Sequence, residues 1–151
     1  MGNAPTTAGL EQLKGLLKQG EEQGLGIAGL IGIKAEVLEP GRVVFSLVPQ
    51  AAFSNPLGIV HGGIMSTLLD SSMGCAVHAS LPEGALYTTL ELKVNFIRPV
   101  PLDGGRLLCE GTTIHVGRKA ATAEGRVTNA DGKLVAHGTT TCMVFSPVTN
   151  E

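Results

Sequence analysis

The sequence predicts an α+β protein in which one curved antiparallel sheet wraps a single long helix. Three observations carry that expectation. From His61 to Ser80 the chain reads HGGIMSTLLDSSMGCAVHAS, apolar, small or weakly polar throughout except for one full charge, Asp70. Two strand-like segments precede this stretch, and four longer ones follow it. Runs of strands around one helix place the sheet against that helix.

The elements follow in order. Residues 8–23, AGLEQLKGLLKQGEEQ, put Leu10, Leu13, Leu16 and Leu17 on one stripe among charged neighbours, the pattern of a short amphipathic helix. A β-like run over Ile27–Leu38 comes next, then a turn at Pro40 and Gly41 and a second strand in RVVFSLV. Pro49–Val60 is rich in turn formers and leads into the apolar helix. Beyond it, YTTLELKVNFIRP alternates, with Leu90, Leu92, Val94 and Phe96 on one face and Thr89, Glu91, Lys93 and Asn95 on the other. Three more strands are expected over Gly105–His115, Lys119–Asn129 and Lys133–Phe145. The Asp-Gly of NADGK marks a tight hairpin between the last two. A helix apolar on most of its surface must be covered nearly all round. The sheet covers one side, and a second copy of the chain is the economical cover for the other.

Composition narrows the function. At 151 residues and 15.5 kDa the chain is long enough for one domain with a real core. Eleven basic against 13 acidic residues and 3% aromatics argue against nucleic acid as a partner. Cys75, Cys109 and Cys142 are odd in number, lack C-x-x-C spacing and sit in apolar contexts, which reads as buried, reduced thiols in a cytoplasmic protein. No basic region followed by an apolar one marks a secretory signal. Val43–Leu69 lacks Asp, Glu, Lys and Arg, but Pro49, Pro56, His61 and the Gly62-Gly63 pair break it, so no membrane span is expected. The opening MGNAPT fits the short myristoylation pattern and reads better as a tail. His61, His78, His115 and His137 show no metal-site spacing, and no G-x-S-x-G is present.

Asp70 poses the functional question, because a buried carboxylate is costly unless paired or hydrogen-bonded. The helix opens NPLGIVHGG. Its first N–H groups have no partner inside the helix, and the macrodipole adds partial positive charge there. Gly62 and Gly63 carry no side chain, so a substrate oxygen can approach those donors as in an oxyanion hole; they equally permit a tight loop entry or close packing. Asp70 lies eight residues beyond Gly62, which is ~12 Å along the axis at ~1.5 Å per residue. A carbonyl held at Gly62 is out of reach of the same helix's Asp70. Chemistry at Asp70 therefore needs a two-fold dimer whose second, antiparallel helix brings its own acid to this end. The alternative is a structural Asp70 held by hydroxyls such as those of Ser66 or Thr67.

The segments NPLGIVHGGIMSTLLDSSMG, YTTLELKVNFIRPVPLDG and HVGRKAATAEGRVTNADGKLVAHGTTTCMVF resemble the hotdog-fold acyl-CoA thioesterases. The nearest group is the PaaI-like branch, which includes the 4-hydroxybenzoyl-CoA type with its acid on the central helix. The likeness spans residues 27–146 and rests most on the H-G-G-x6-[DE] spacing, supported by F-x-R-P and G-R downstream. It implies a double-hotdog dimer, and a homotetramer of two dimers. It divides the chain into a tail and short helix over 1–25, a hotdog thioesterase domain over 26–147 and a C-terminal tail over 148–151. It implies hydrolysis of an acyl- or aryl-CoA thioester to free acid and CoA, with Asp70 as nucleophile or general base and the other subunit's Gly62 N–H polarising the carbonyl.

The same resemblance implies that Asn55 orients the water or the carbonyl, that Thr89 sets a hydroxyl near the acid, and that His61 bonds the loop or approaches the thioester sulfur. The acyl group is expected between subunits near Gly63 and against Leu57, Ile64, Leu68 and Met73. Coenzyme A phosphates call for a basic rim, for which Arg98, Arg118, Lys119 and Arg126 are the candidates, with Gly117 exposing backbone to the pantetheine arm. No metal or cofactor is implied, coenzyme A being part of the substrate. Two other readings remain: a non-catalytic acyl-CoA binder, and a hotdog hydratase or dehydratase. The latter uses a G-D-x-N-P-[LIV]-H run, of which NPLGIVHGG shares only the Asn-Pro and a later His.

Overall fold

The structure, a computed structural model, describes residues 7–147. The MGNAPT pattern and the C-terminal tail at 148–151 lie outside the described residues. Six strands form one antiparallel sheet in the order β1-β2-β4-β5-β6-β3. β1 (Lys34–Glu39) and β2 (Arg42–Leu47) make a hairpin across Pro40 and Gly41, where Gly41 takes φ 76°, a value glycine adopts without steric cost. β4 (Leu107–Val116), β5 (Ala120–Thr128) and β6 (Leu134–Phe145) follow as a meander, and β3 (Leu86–Phe96) pairs with β6 to form the far edge. The NADGK turn is held by Asn129, whose Oδ1 accepts from the N–H groups of Asp131 and Lys133 at 3.1 and 3.0 Å.

The long helix α3 (Gly62–His78) lies across the inner face of this sheet. Met65, Leu68, Leu69, Met73, Ala76 and Val77 are buried there at the i, i+3, i+4 spacing of one helix face. Gly111 of β4 sets the closeness of that contact. A Cβ at this position would collide with the Ser72 carbonyl group and lie 2.6 Å from the Met73 nitrogen, so only glycine lets helix backbone rest on the strand. The opposite face of α3 carries Gly63, Ser66, Thr67, Asp70 and Ser71. It is small and polar, which corrects the expectation of a helix apolar on most of its surface. Low bulk here permits close approach of another helix instead.

Two further expectations are corrected. The β-like run over Ile27–Leu38 divides: Ile27–Ile31 forms a short helix, α2, between Gly26 at φ 94° and Gly32 at φ 82°, and strand begins at Lys34. Ile31 enters the core while Ile27 and Leu30 stay exposed. Two glycines at positive φ isolate a five-residue segment whose apolar, Ile-bounded composition alone suggests extended chain. β3, for its part, does not alternate cleanly. Thr89 pairs with Cys142 and Glu91 with Thr141, leaving Leu90 as the extra residue of a β-bulge. Tyr87 and Thr89 before it, and Leu92 and Val94 after it, therefore share the inner face. Leu90 and Phe96, expected on the core side, are 56% and 53% exposed.

α1 (Ala8–Gln23) packs across the end of α3. Leu10 and Leu13 are buried, Gly9 lies directly on the carbonyls of His78 and Leu81, and Leu16 is left half exposed at 49%.

Candidate active site

The loop before α3 is organised by Asn55. Its Oδ1 accepts from the Leu57 N–H at 2.9 Å and the Ile59 N–H at 3.3 Å, while its own N–H donates to the Ile59 carbonyl at 2.8 Å. This closed loop delivers His61 as the N-cap of α3, in extended conformation with ψ 135°. The His61 Nδ1 accepts from the Gly63 N–H at 2.8 Å. An accepting Nδ1 makes Nε2 the protonated nitrogen of the neutral ring, a donor on the far side of the imidazole.

That cap separates the two glycines. The Gly63 N–H is used inside the chain, whereas the Gly62 N–H has no acceptor among the described residues. It stands in the first turn, where the helix concentrates partial positive charge. The bare Cα of Gly62 also accommodates the Phe96 ring, whose Cζ would be 2.9 Å from a Cβ. Gly62 is thus both a packing glycine and a free donor.

Asp70 stands two turns further on, half-buried. Its Oδ1 accepts from Thr89 Oγ1 at 2.8 Å. Ser66 and Thr67, the alternative partners, donate instead to the carbonyls of Gly62 and Gly63, both at 2.9 Å. Asp70 Oδ2 takes no hydrogen bond among the described residues. The carboxylate is oriented by one hydroxyl and otherwise open. Around it sit Cys75, Tyr87 and Cys142, all weaker acids than usual. Burial pushes the Cys75 thiol up to about 12 and raises Tyr87 and Cys142 as well, and the Asp70 charge adds to each. These groups stay protonated at neutral pH.

The remaining predicted residues scatter. Leu57 is 83% exposed at the tip of the loop, and Ile64 is half-buried beside the helix start. Leu68 and Met73 are fully buried against the sheet, so they belong to the core and line no cleft on the open face. Arg98, just past β3 and at the Gly62 end of α3, donates through Nη1 to the Leu134 carbonyl at 2.8 Å. Gly117, Arg118 and Lys119 form the β4–β5 turn at the other end of the helix. There Gly117 and Arg118 border a cleft of about 420 Å³ next to Ser80–Pro82. The Gly117 N–H closes that turn on the Ala120 carbonyl at 2.8 Å, so of the backbone expected to face pantetheine the donor is already engaged. Arg126 projects from the outer face of the sheet, opposite Glu110 on β4, away from Asp70. Tyr87 and Thr140 carry no sequence signal that marks them off from ordinary strand residues, and the sequence reads Phe96 only as a core-face residue and Cys142 only as a buried thiol. Among the described residues no cluster of His, Cys, Asp or Glu suits a metal ion, and no helix is long and apolar enough to cross a membrane.

A sheet curled on one helix, with an unpaired donor at the helix start and an oriented acid on its open face, defines a hotdog-fold protein. Residues 57–136 match the Thioesterase superfamily, and the chain belongs to that family; it is a thioester hydrolase. Human acyl-coenzyme A thioesterase 13 is 27% identical over 100 residues, covering 66% of this chain and 70% of that one. A solved Bacillus halodurans protein, determined with CoA, is 31% identical with a TM-score of 0.75 over 97% of both chains. The Escherichia coli PaaI protein of the phenylacetic acid degradation operon shares the fold at a TM-score of 0.79, covering 93% of this chain and 97% of that one at 18% identity.

Proposed function

We propose that the protein hydrolyses an acyl- or aryl-CoA thioester to the free acid and CoA, in a site completed by two copies of the chain. One observation carries this reading: among the described residues, α3 holds a donor without an acceptor, Gly62 N–H, and an acceptor without a donor, Asp70 Oδ2. At ~1.5 Å per residue they lie ~12 Å apart on one helix. A thioester carbonyl cannot use both unless the acid comes from a second, antiparallel copy. The edge of the sheet supports such a pairing. β3 is an 11-residue terminal strand, and a long open edge is a template for another strand. Edge-to-edge pairing along β3 continues the sheet and lays two α3 helices side by side on their small, polar faces.

In that arrangement the carbonyl oxygen accepts from Gly62 N–H at the positive end of the helix dipole. The other copy's Asp70, held by its Thr89, takes a proton from the attacking water or attacks the carbon itself. The tetrahedral intermediate collapses with cleavage of the C–S bond, and the departing thiolate is protonated; where Asp70 is the nucleophile, the acyl–Asp70 anhydride left behind is then cleaved by water to give the free acid and restore the carboxylate. The His61 Nε2–H is a donor at this end of the helix for the departing sulfur. Asn55 keeps its side-chain Nδ2–H groups for carbonyl or water, since of its side-chain atoms only Oδ1 is engaged among the described residues. Antiparallel pairing also sets Arg98 of one copy at the same end as the other copy's Arg118 and Lys119, which gathers cations for the CoA phosphates.

Subunit mixing tests the shared site. Gly62→Pro removes the donor and Asp70→Asn the acid; each homodimer should be inactive toward a panel of acyl-CoAs assayed by thiol release. Exchange between them creates one intact site per mixed dimer and restores about a quarter of wild-type activity. No recovery after verified exchange would place both groups in one chain's own site and end this reading. Single turnover in isotopically labelled water then separates the two roles of Asp70, since label enters the carboxylate only if it is the nucleophile.

A further inference from the structure

The bond from Thr89 to Asp70 depends on an irregularity in β3. Strand side chains alternate, so inserting or removing one residue moves every later side chain to the other face. Without Leu90 as an unpaired extra residue, Thr89 would face away from the side that carries Leu92 and Val94 toward the core. Immediately after the bulge, the Thr140 hydroxyl on the neighbouring strand β6 donates to the Glu91 carbonyl at 2.8 Å. Thr140 is 1% exposed, so this is a fully buried side chain tied to main chain where the regular exchange of backbone bonds is interrupted. Cys142, paired directly across from Thr89, lies two residues beyond Thr140 on the same buried face of β6. Thr140, Cys142, Thr89 and Asp70 therefore form one contiguous set.

We infer that Thr140 is a positioning residue for the reaction: its buried hydroxyl locks the bulge at Leu90, and the bulge turns Thr89 onto Asp70. The inference rests on the reading of Asp70 as the reacting acid. Thr140 touches neither the carboxylate nor any substrate in that site, and acts only through Thr89.

The test compares Thr140→Val, which keeps the shape and loses the donor, with Thr140→Ser, which keeps the donor. Thr140→Val should lower kcat about tenfold at little-changed KM, because a displaced orienting hydroxyl affects the chemical step more than binding. Thr140→Ser should retain most of the turnover. Thr89→Val supplies the reference, and adding Thr140→Val to it should cost no further turnover, since the two act in series. If Thr89→Val loses turnover while Thr140→Val does not, the inference falls and the reading of Asp70 stands. It falls likewise if the two losses multiply in the double variant, as a general loss of stability would make them do. Wild-type kcat in Thr89→Val would overturn the role given to the Asp70–Thr89 pair, and the inference with it. Should Thr140→Val not fold, Thr140→Cys, a weaker donor of similar size, carries the same comparison.

Discussion

Replacing Gly62 by proline isolates one atom of the proposed chemistry, the backbone N–H at the start of α3. The structure makes this an unusually clean change. Gly62 is the first residue of the helix, where proline is favoured because its missing N–H has no helical partner. His61 before it is already extended at ψ 135°, the conformation that a following proline requires. No internal hydrogen bond is lost, since the Gly62 N–H has no acceptor among the described residues. Two steric consequences follow: a new Cβ, 2.9 Å from the tip of the half-exposed Phe96 ring, which can swing outward, and a ring Cδ on the nitrogen itself, standing where the N–H hydrogen was. Gly62→Ala carries the same Cβ and keeps the donor, so it measures the effect of the Cβ by itself. Loss of a single oxyanion donor lowers kcat about 10²–10³-fold, about 2.7–4 kcal/mol of transition-state stabilisation. Acyl-CoA hydrolysis by the two variants, followed as free thiol, should differ by that factor while their unfolding midpoints agree. Equal turnover of the proline and alanine variants would show that the Gly62 N–H does not contact the carbonyl.

Three more expectations follow from the same geometry. Asp70→Asn keeps an oxygen for the Thr89 hydroxyl but removes basicity, so turnover should fall at least about a hundredfold with the fold intact; near-wild-type thiol release would remove Asp70 from the chemistry. Gly111→Ala drives a Cβ into the Ser72 carbonyl group and to 2.6 Å from the Met73 nitrogen. Backbone on both sides cannot yield as a side chain does, and urea unfolding should show a loss of about 3 kcal/mol or more. An unchanged urea midpoint would contradict the helix-on-strand contact. The thiols of Cys75 and Cys109 are both pushed up to about 12 by burial, so they should resist alkylation in the native protein at about pH 8. Above the ordinary thiol value of 9.0 the unfolded chain loses these protons and the folded chain keeps them. Stability therefore falls as pH rises from there toward about 12. Denaturant midpoints measured across that range should decline, and fast labelling of Cys75 at neutral pH would show that the site is open to reagent.

Much of the fold was legible because its signals are local. The apolar stretch with one acid, the turn chemistry of Pro40-Gly41 and NADGK, and the strand-length segments between them each report on neighbours close in sequence. The H-G-G-x6-D spacing likewise put a helix start and a carboxylate on one element. What misled was every property defined between elements. The alternation of YTTLELKVNFIRP reads as regular until β6 is laid beside it, because a bulge exists only relative to a partner strand. Leu68 and Met73 resemble any other apolar residues of α3 until the sheet selects which face to bury. Gly62 and Gly63 are indistinguishable until the His61 ring folds back to cap one of them.

The sequence by itself determined the class of fold, the long helix and the residues at which chemistry is possible, since periodicity and turn preference act within a few residues of chain. Only the tertiary structure decided that Thr89, expected near the acid by resemblance, donates to Asp70 while Ser66 and Thr67 do not, that the His61 ring engages the Gly63 N–H and leaves that of Gly62 without an acceptor among the described residues, and that the candidate CoA-binding cations stand at opposite ends of one helix. Those outcomes depend on register and on competition for hydrogen bonds between segments far apart in the chain, which no local pattern encodes.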